Sequence, residues 1–227
     1  MKSEQQEIEE YKEWKALCKS RGYDWPIYRY DIINHLINKF KYINYLEIGV
    51  NDGTCIRKVK AIHKDGVDPG VETTNPVEVN YPIKSNDFFN LIQGHDIKYD
   101  IIFIDGLHYD YQVYQDIKNA LNHIQPNGTI LCHDMNPKWE IAQRKTGVIG
   151  TWNGDCWKAW VQLRSELPGY CMEVVDTDHG VGIIRKGSQQ LIKLPEVYTN
   201  LTFDFLDQNR ITVLNLISIN DFFKKYD

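Results

Sequence analysis

Tyr45-Leu-Glu-Ile-Gly-Val-Asn-Asp-Gly53 is the stretch that decides how this chain folds. An apolar run ends on an acidic residue, and two glycines then bracket a short polar turn. A strand of a parallel sheet is buried on both faces and so reads as a near-continuous apolar run, and ligands bind at its carboxyl end. Other strands ending in Asp68, Asp105 and His133-Asp134 would, lying beside this one, bring their polar ends to the same rim.

Working outward, Tyr99-Asp-Ile-Ile-Phe-Ile-Asp-Gly106 is the clearest strand, and Thr129-Ile-Leu-Cys-His-Asp134 is the next after a Pro126-Asn-Gly128 turn. Gly66-Val-Asp-Pro69 ends a short strand, and Tyr81–Lys84 is a candidate for a brief third one. Helical spacing of apolar residues predicts an amphipathic helix over 3–19, broken by Arg21–Pro26, and helices over Tyr30–Phe40, Thr54–Ile62 and Tyr111–His123. Ser85-Asn-Asp87 reads as an N-cap ahead of Phe88–Ile92, and Asp155 as the cap of a helix to Glu166. Tyr170–Val175 and Val181–Arg185 flank Asp176-Thr-Asp-His-Gly180 as a hairpin. Strands alternating with helices before a closing hairpin imply an α/β fold, a doubly wound, mostly parallel sheet with an antiparallel edge hairpin. One domain is expected, with amino-terminal helices over 1–40, a core sheet over 41–186 and a helical tail over 187–227.

The chain of 227 residues carries a formal net charge of −5, which argues against a general nucleic-acid binder, since phosphate neutralisation needs a basic face. The polar amino terminus has no signal-peptide core, and no apolar run approaches the roughly 20 residues that span a bilayer. The five cysteines are scattered without a C-x-x-C pair, so a disulfide framework or thiolate zinc site is not expected and a reducing cytoplasm is. The extra amino-terminal helix is a candidate homo-oligomer contact.

Gly49 and Gly53 bracket Val50-Asn51-Asp52, which is not the G-x-G-x-x-G fingerprint that places a helix end on a pyrophosphate. Glu47, just inside the strand end, would repel phosphate and attract a cation. Asp68, about twenty residues on, is placed for ribose hydroxyls. A ligand with a ribose, no phosphate and a positive charge is S-adenosylmethionine. The plainer alternative is a tight strand–helix turn with Asp68 as a solvated strand end.

Leu46-Glu-Ile-Gly-Val-Asn-Asp-Gly53, Gly66-Val-Asp-Pro69, Ser85-Asn-Asp-Phe-Phe89, Ile102-Phe-Ile-Asp-Gly-Leu-His108 and Leu131-Cys-His-Asp134 together resemble a class I S-adenosylmethionine-dependent methyltransferase. Trp152–Trp160 and Asp176–Gly182 resemble the branch associated with polysaccharide and nucleotide-sugar pathways. The resemblance covers about residues 28–225. It implies seven strands with the last inserted one antiparallel, and adenosine contacts near Ser85, Asn86 and Asp87, although Asp87 reads equally as a helix cap. Glu47, Gly49, Asn51, Gly53, Asp68, Ser85, Asp87 and Asp105 are the expected cofactor contacts.

Asp105, His108, His133 and Asp134 come from the ends of two strands that should be neighbours. Carboxylates with imidazoles suit Mg²⁺, Mn²⁺ or Fe²⁺. Related sugar and antibiotic O-methyltransferases resemble this arrangement, with an acidic pair where this chain has His133-Asp134. The expected metal ligands are Asp105, His133 and Asp134, with His108 as general base. His108 as a helix cap and His133-Asp134 as a loop anchor remain the structural alternatives. Asn136–Gly154, with Trp139, Arg144, Lys145, Trp152 and Asn153, is expected to overhang the acceptor or to pack on its own tryptophans.

The expected reaction is metal-assisted O-methylation of a sugar hydroxyl, on a nucleotide-activated sugar such as a heptose or another surface-polysaccharide precursor. The alternatives are a phenolic, antibiotic or phosphoramidate acceptor, and a hydroxylase-like or non-catalytic protein on the same scaffold.

Overall fold

Ile48, Val67, Ile104 and Cys132 stand side by side in one row of a parallel sheet, so the next residue of each strand arrives at the same rim. Those next residues are Gly49, Asp68, Asp105 and His133. The row belongs to strands β1 (Asn44–Ile48), β2 (His63–Val67), β3 (Tyr99–Ile104) and β4 (Ile124–Cys132). Strands β5 (Tyr170–Val175), β6 (Val181–Lys186) and β7 (Leu216–Ile217) complete a seven-stranded sheet of order β2-β1-β3-β4-β6-β5-β7. Only β6 runs antiparallel to its neighbours.

The computed structural model describes residues 25–71, 77–144, 152–194 and 201–227, with residues 5, 6, 8, 9, 12, 13 and 16. Those seven isolated residues are helical and fall in the helix expected over 3–19, whose other residues lie outside the described ones. The remaining helices are α1 (Arg29–Phe40), α2 (Thr54–Lys58), α3 (Ser85–Ile92), α4 (Asp110–His123), α5 (Cys156–Glu166), α6 (Phe203–Leu214) and α7 (Ile219–Tyr226). No helix among the described residues is long and apolar enough to cross a membrane.

Strand side chains alternate between faces, and this sorts the core into two layers. Leu46, Ile48, Ile102, Ile104 and Ile130 pack with Phe88, Ile117, Trp157 and Trp160 from α3, α4 and α5. Tyr45, Ile101, Phe103 and Leu131 pack on the other face with Ile32, Ile33 and Leu36 of α1 and Phe222 of α7. Helices on both faces make the sheet doubly wound. Glu47 shares its parity with Tyr45, so its side chain is on the α1 face.

Several boundaries depart from the sequence reading for identifiable reasons. Helix α2 stops at Lys58 instead of Ile62, because the Asn34 amide accepts from Lys60 N–H at 2.8 Å and donates to Lys58 O at 2.9 Å, holding the chain extended. The third strand proposed over Tyr81–Lys84 is a single bridge between Tyr81 and Val67, since Pro82 has no N–H to continue a ladder. Ser85, Asn86 and Asp87 form the first turn of α3, and the capping position is Lys84. Pro126–Gly128 lies inside β4 as an irregularity of register against β3. The hairpin β5–β6 is not the sheet edge, because the tail supplies β7 in parallel beside β5. Asp155 makes no side-chain cap for its own helix, and its Oδ1 instead accepts from Asp110 N–H, at the start of α4, at 2.9 Å.

Candidate active site at the sheet rim

Gly49 must be glycine because the turn passes directly over the end of β3. A Cβ there would stand 2.1 Å from the Asp105 carbonyl oxygen, and its φ of +87° is left-handed. The turn is tied to β2 by Asp68, whose two oxygens accept from Asn51 N–H at 2.7 Å and Gly70 N–H at 2.6 Å. A carboxylate offers about four acceptor positions, so both oxygens retain capacity for further donors. Glu47 is buried and accepts from the Tyr45 hydroxyl. Burial pushes its carboxyl up to about 8.

Ser85 and Asn86 lie beside Gln112 of α4, whose amide nitrogen is 3.2 Å from Ser85 Oγ and 3.1 Å from Asn86 Oδ1. The same nitrogen donates to Asp116 at 2.9 Å. Asp116 is a buried carboxyl that the sequence reading did not single out, and burial pushes it up to about 6. Asp87 is exposed on the first turn of α3.

Four rim residues converge. One ligand atom from each of Asp105, His108 and Asp134 lies within 4.8 Å of the other two. His108 Nε2 is 3.4 Å from Asp105 Oδ1 and 3.3 Å from Asp134 Oδ2. Its Nδ1 is 3.2 Å from the Trp152 carbonyl oxygen, which can only accept, so the proton belongs on Nδ1 and the Nε2 lone pair faces the carboxylates in the neutral ring. His108 therefore caps no helix. His133 meets the same two carboxylate oxygens through Nδ1. Its ring is buried, with Nδ1 3.0 Å from Asp134 Oδ2 and 3.3 Å from Asp105 Oδ1, and Nε2 3.5 Å from Asp178 Oδ1.

Two residues not singled out in the sequence, Asp178 and Arg29, and one expected in another role, Asn153, complete the surroundings. Asp178, in the β5–β6 turn, accepts from Arg29 N–H at 2.8 Å and from Arg29 Nη1 at 3.1 Å. Arg29, the first residue of α1, places Nε 3.6 Å from Asp105 Oδ2. Asn153 donates to Asp134 Oδ1 at 2.7 Å, so this residue, expected over the acceptor, holds the carboxylate instead. The signals were present, since Asp178 falls in the quoted hairpin turn and Arg29 just ahead of the Ile32–Phe40 apolar face. Nothing in their spacing pointed to a shared partner.

Electrostatics follow from this packing. Burial alone would push Asp105 up, but His133 and His108 beside it hold it well below the usual carboxylate range. Burial raises Asp134 and Asp178 in the same way, and the charges facing them together more than offset it, His133 and His108 at Asp134 and His133 and Arg29 at Asp178. Burial would lower His108, yet Asp134 and Asp105 outweigh it and raise the ring to about 9. Aromatic rings flank the cluster. Trp152 lies 4.9 Å from His108, and Tyr109 stacks on Tyr111 at 5.8 Å. The Trp152 indole donates to Arg144 O, and 145–151 lie outside the described residues.

Residues 46–135, from within β1 to Met135 after β4, match the model of a family described as "Methyltransferase domain". A seven-stranded sheet with one antiparallel strand, ligand-side polar ends and this match together decide the architecture. It is the Rossmann-like methyltransferase fold. Solved structures share it. A Staphylococcus aureus protein provisionally described as a caffeoyl-CoA O-methyltransferase has a TM-score of 0.51 at 18% identity, covering 82% of this chain and 93% of that one. The Bacillus cereus O-methyltransferase in complex with S-adenosylhomocysteine has a TM-score of 0.50 at 14% identity, covering 77% and 90%. A Klebsiella pneumoniae protein provisionally described as an O-methyltransferase has a TM-score of 0.50 at 13% identity, covering 70% and 80%. No curated protein matches the chain in sequence. At such identities the likeness speaks for the methyltransferase fold alone.

Proposed function

We propose that this methyltransferase domain is an S-adenosylmethionine-dependent, divalent-metal-assisted O-methyltransferase acting on a sugar hydroxyl, in a nucleotide-activated sugar. The observation that carries it is the Asp105–His108–Asp134 trio at the rim, beside the Glu47–Gly53 turn. The donor set fits both groups. Two carboxylate oxygens and an imidazole nitrogen suit Mg²⁺, Mn²⁺ or Fe²⁺. The carboxylate of Asp105 suits a sulfonium cation, and the spare acceptor capacity of Asp68 suits two ribose hydroxyls. The Bacillus cereus relative, solved with S-adenosylhomocysteine, supports the same cofactor class.

In this reading Asp105, His108 and Asp134 hold the metal, and a bound divalent ion would lower the pKa of an acceptor hydroxyl. His133 orients Asp134 and Asp105 from behind, and Asn153 fixes the second oxygen of Asp134. The role of general base, expected for His108, fits its surroundings poorly. With Nε2 given to the metal and Nδ1 donating to the Trp152 carbonyl, the ring has no lone pair left to take a proton. Positioning of acceptor and donor for in-line transfer supplies much of the acceleration. The free buried thiols of Cys55, Cys132 and Cys156 fit a reducing, cytoplasmic setting.

A phenolic acceptor is the second reading, favoured by the aromatic chain that runs from the exposed Tyr111 through Tyr109 and Trp152 to the His108 ring. One experiment separates them: incubation with S-adenosylmethionine and a panel of nucleotide-sugars and phenols, with metal or excess chelator, read by mass spectrometry. Addition of one methyl group to a nucleotide-sugar only when metal is present supports the proposal. Methylation of phenols alone, or equal turnover in chelator, sinks it.

A further inference from the structure

Arg29 brings a cation to the carboxylates of the rim. Its side chain is 22% exposed, and Asp178 claims its backbone N–H and its Nη1. Nε is buried with no hydrogen-bond partner, and among the described residues Nη2 makes none that would occupy it. Asp178 thus grips one corner of the guanidinium and leaves the Nε–Nη2 edge, the side-on fork that pairs with a carboxylate through two parallel bonds. The hold is reinforced from the same turn. Thr177 donates to Ile27 O at 2.6 Å, and His179 meets Trp25 edge-on at 5.2 Å. Three consecutive hairpin residues therefore fix the segment that carries Arg29.

The Nε end of this edge lies beside Asp105, the residue that follows β3. Nε is 3.6 Å from Asp105 Oδ2, beyond hydrogen-bond reach, and the charge of Arg29 is felt by Glu47, Asp52 and Cys55. The two oxygens of Asp105 thereby have separate surroundings, Oδ1 facing His108 and His133 and Oδ2 facing Arg29. A cation and an anion held this close but not bonded to each other are the complement of an α-amino acid, whose ammonium and carboxylate sit on one carbon.

We infer that Arg29 and Asp105 form a zwitterion-recognition pair, with the Nε–Nη2 edge of Arg29 taking the α-carboxylate of the cofactor's methionine moiety and Asp105 Oδ2 its ammonium. The inference rests on the S-adenosylmethionine reading and deepens it. Asp178, on the hairpin, is then the positioning residue that aims Arg29.

Calorimetric titration tests this with three probes: S-adenosylhomocysteine, its analogue lacking the carboxylate, and 5′-methylthioadenosine, which lacks the amino acid altogether. Wild-type protein should bind the decarboxylated analogue at least about tenfold more weakly than S-adenosylhomocysteine, as one charge-assisted pair implies. Arg29→Met should erase that difference by weakening S-adenosylhomocysteine, while affinity for 5′-methylthioadenosine changes less than about twofold. Arg29→Lys, which keeps charge but not the fork, should fall between. Equal losses for all three probes in Arg29→Met would show a purely structural role and overturn the inference. So would a wild type indifferent to the carboxylate, a result that needs no variant to fold. Failure of the wild type to bind S-adenosylhomocysteine at all would instead sink the cofactor reading on which the pair depends.

Discussion

Gly154 lies flat against the backbone of His108: a Cβ at Gly154 would stand 2.0 Å from the His108 carbonyl oxygen and 2.6 Å from the His108 Cβ. The segment after β4 is thereby locked onto the loop after β3, with Asp155 capping α4 and the Trp152 carbonyl receiving His108 Nδ1. His108 is aimed at Asp105 and Asp134 by a chain segment forty residues away, not by its own helix.

Gly154→Ala should therefore act on His108. The added methyl meets backbone, which cannot swing aside, and the φ of +61° is strained for alanine. The expected outcome is a loss of roughly 1–3 kcal/mol in stability and a larger loss at the site, seen as weaker Mn²⁺ binding and reduced turnover with S-adenosylhomocysteine affinity retained. Unchanged Mn²⁺ affinity in a folded variant would mean that His108 does not contribute a ligand.

Asn153→Ala removes the amide that Asp134 Oδ1 accepts from at 2.7 Å, both groups being buried. Leaving a buried carboxylate oxygen unsatisfied costs about 1–3 kcal/mol, and an outer partner of a metal ligand typically tunes affinity by about 10–100-fold. Denaturant melts and metal titrations on the same variant should show both effects. Metal affinity that survives the substitution would place Asp134 outside the centre.

Glu47 supplies a pH test away from the metal. Burial raises its folded pKa to about 8, above the ordinary value near 4.5. A raised carboxyl pKa means that the folded state holds its proton longer than the unfolded chain. The associated stability is fully present below about 4.5 and is lost as pH climbs through about 8. Glu47→Gln removes this dependence while leaving an acceptor for the Tyr45 hydroxyl. The melting temperature of the ligand-free variant should exceed that of wild type at pH 8, by on the order of a few kcal/mol in stability, and the two should converge near pH 4.5. A wild type whose excess of stability over the variant grows with pH would reverse the sign and refute the buried, proton-retaining carboxyl.

The sheet was legible in the sequence because parallel strands buried on both faces leave a local signature. Ile101–Ile104 and Leu46–Ile48 announce themselves, and the polar residues that follow them fall at one rim by register alone. What escaped depended on contacts distant in sequence. The end of α2 is set by Asn34 from another helix, and β7 is two residues long and exists only because β5 offers an edge. The same holds within the site. Asp105 and Asp134 follow from strand ends, whereas the nitrogen that each imidazole turns toward them, Nε2 of His108 and Nδ1 of His133, depends on the rotation of each ring. His133 turns inward toward Asp178, and His108 is drawn out by Trp152. Arg29, Asn153 and Asp178 enter through tertiary contacts that no local pattern encodes.

The central claim is a divalent-metal centre made by Asp105, His108 and Asp134 beside a bound cofactor. Titration of Mn²⁺ by electron paramagnetic resonance, with saturating S-adenosylhomocysteine, on wild type and Asp134→Asn measures it directly. One Mn²⁺ should be held per wild-type chain and that binding lost in Asp134→Asn, with S-adenosylhomocysteine still bound. Wild-type protein that holds the cofactor but no Mn²⁺, or Mn²⁺ binding indifferent to Asp134→Asn, would contradict it.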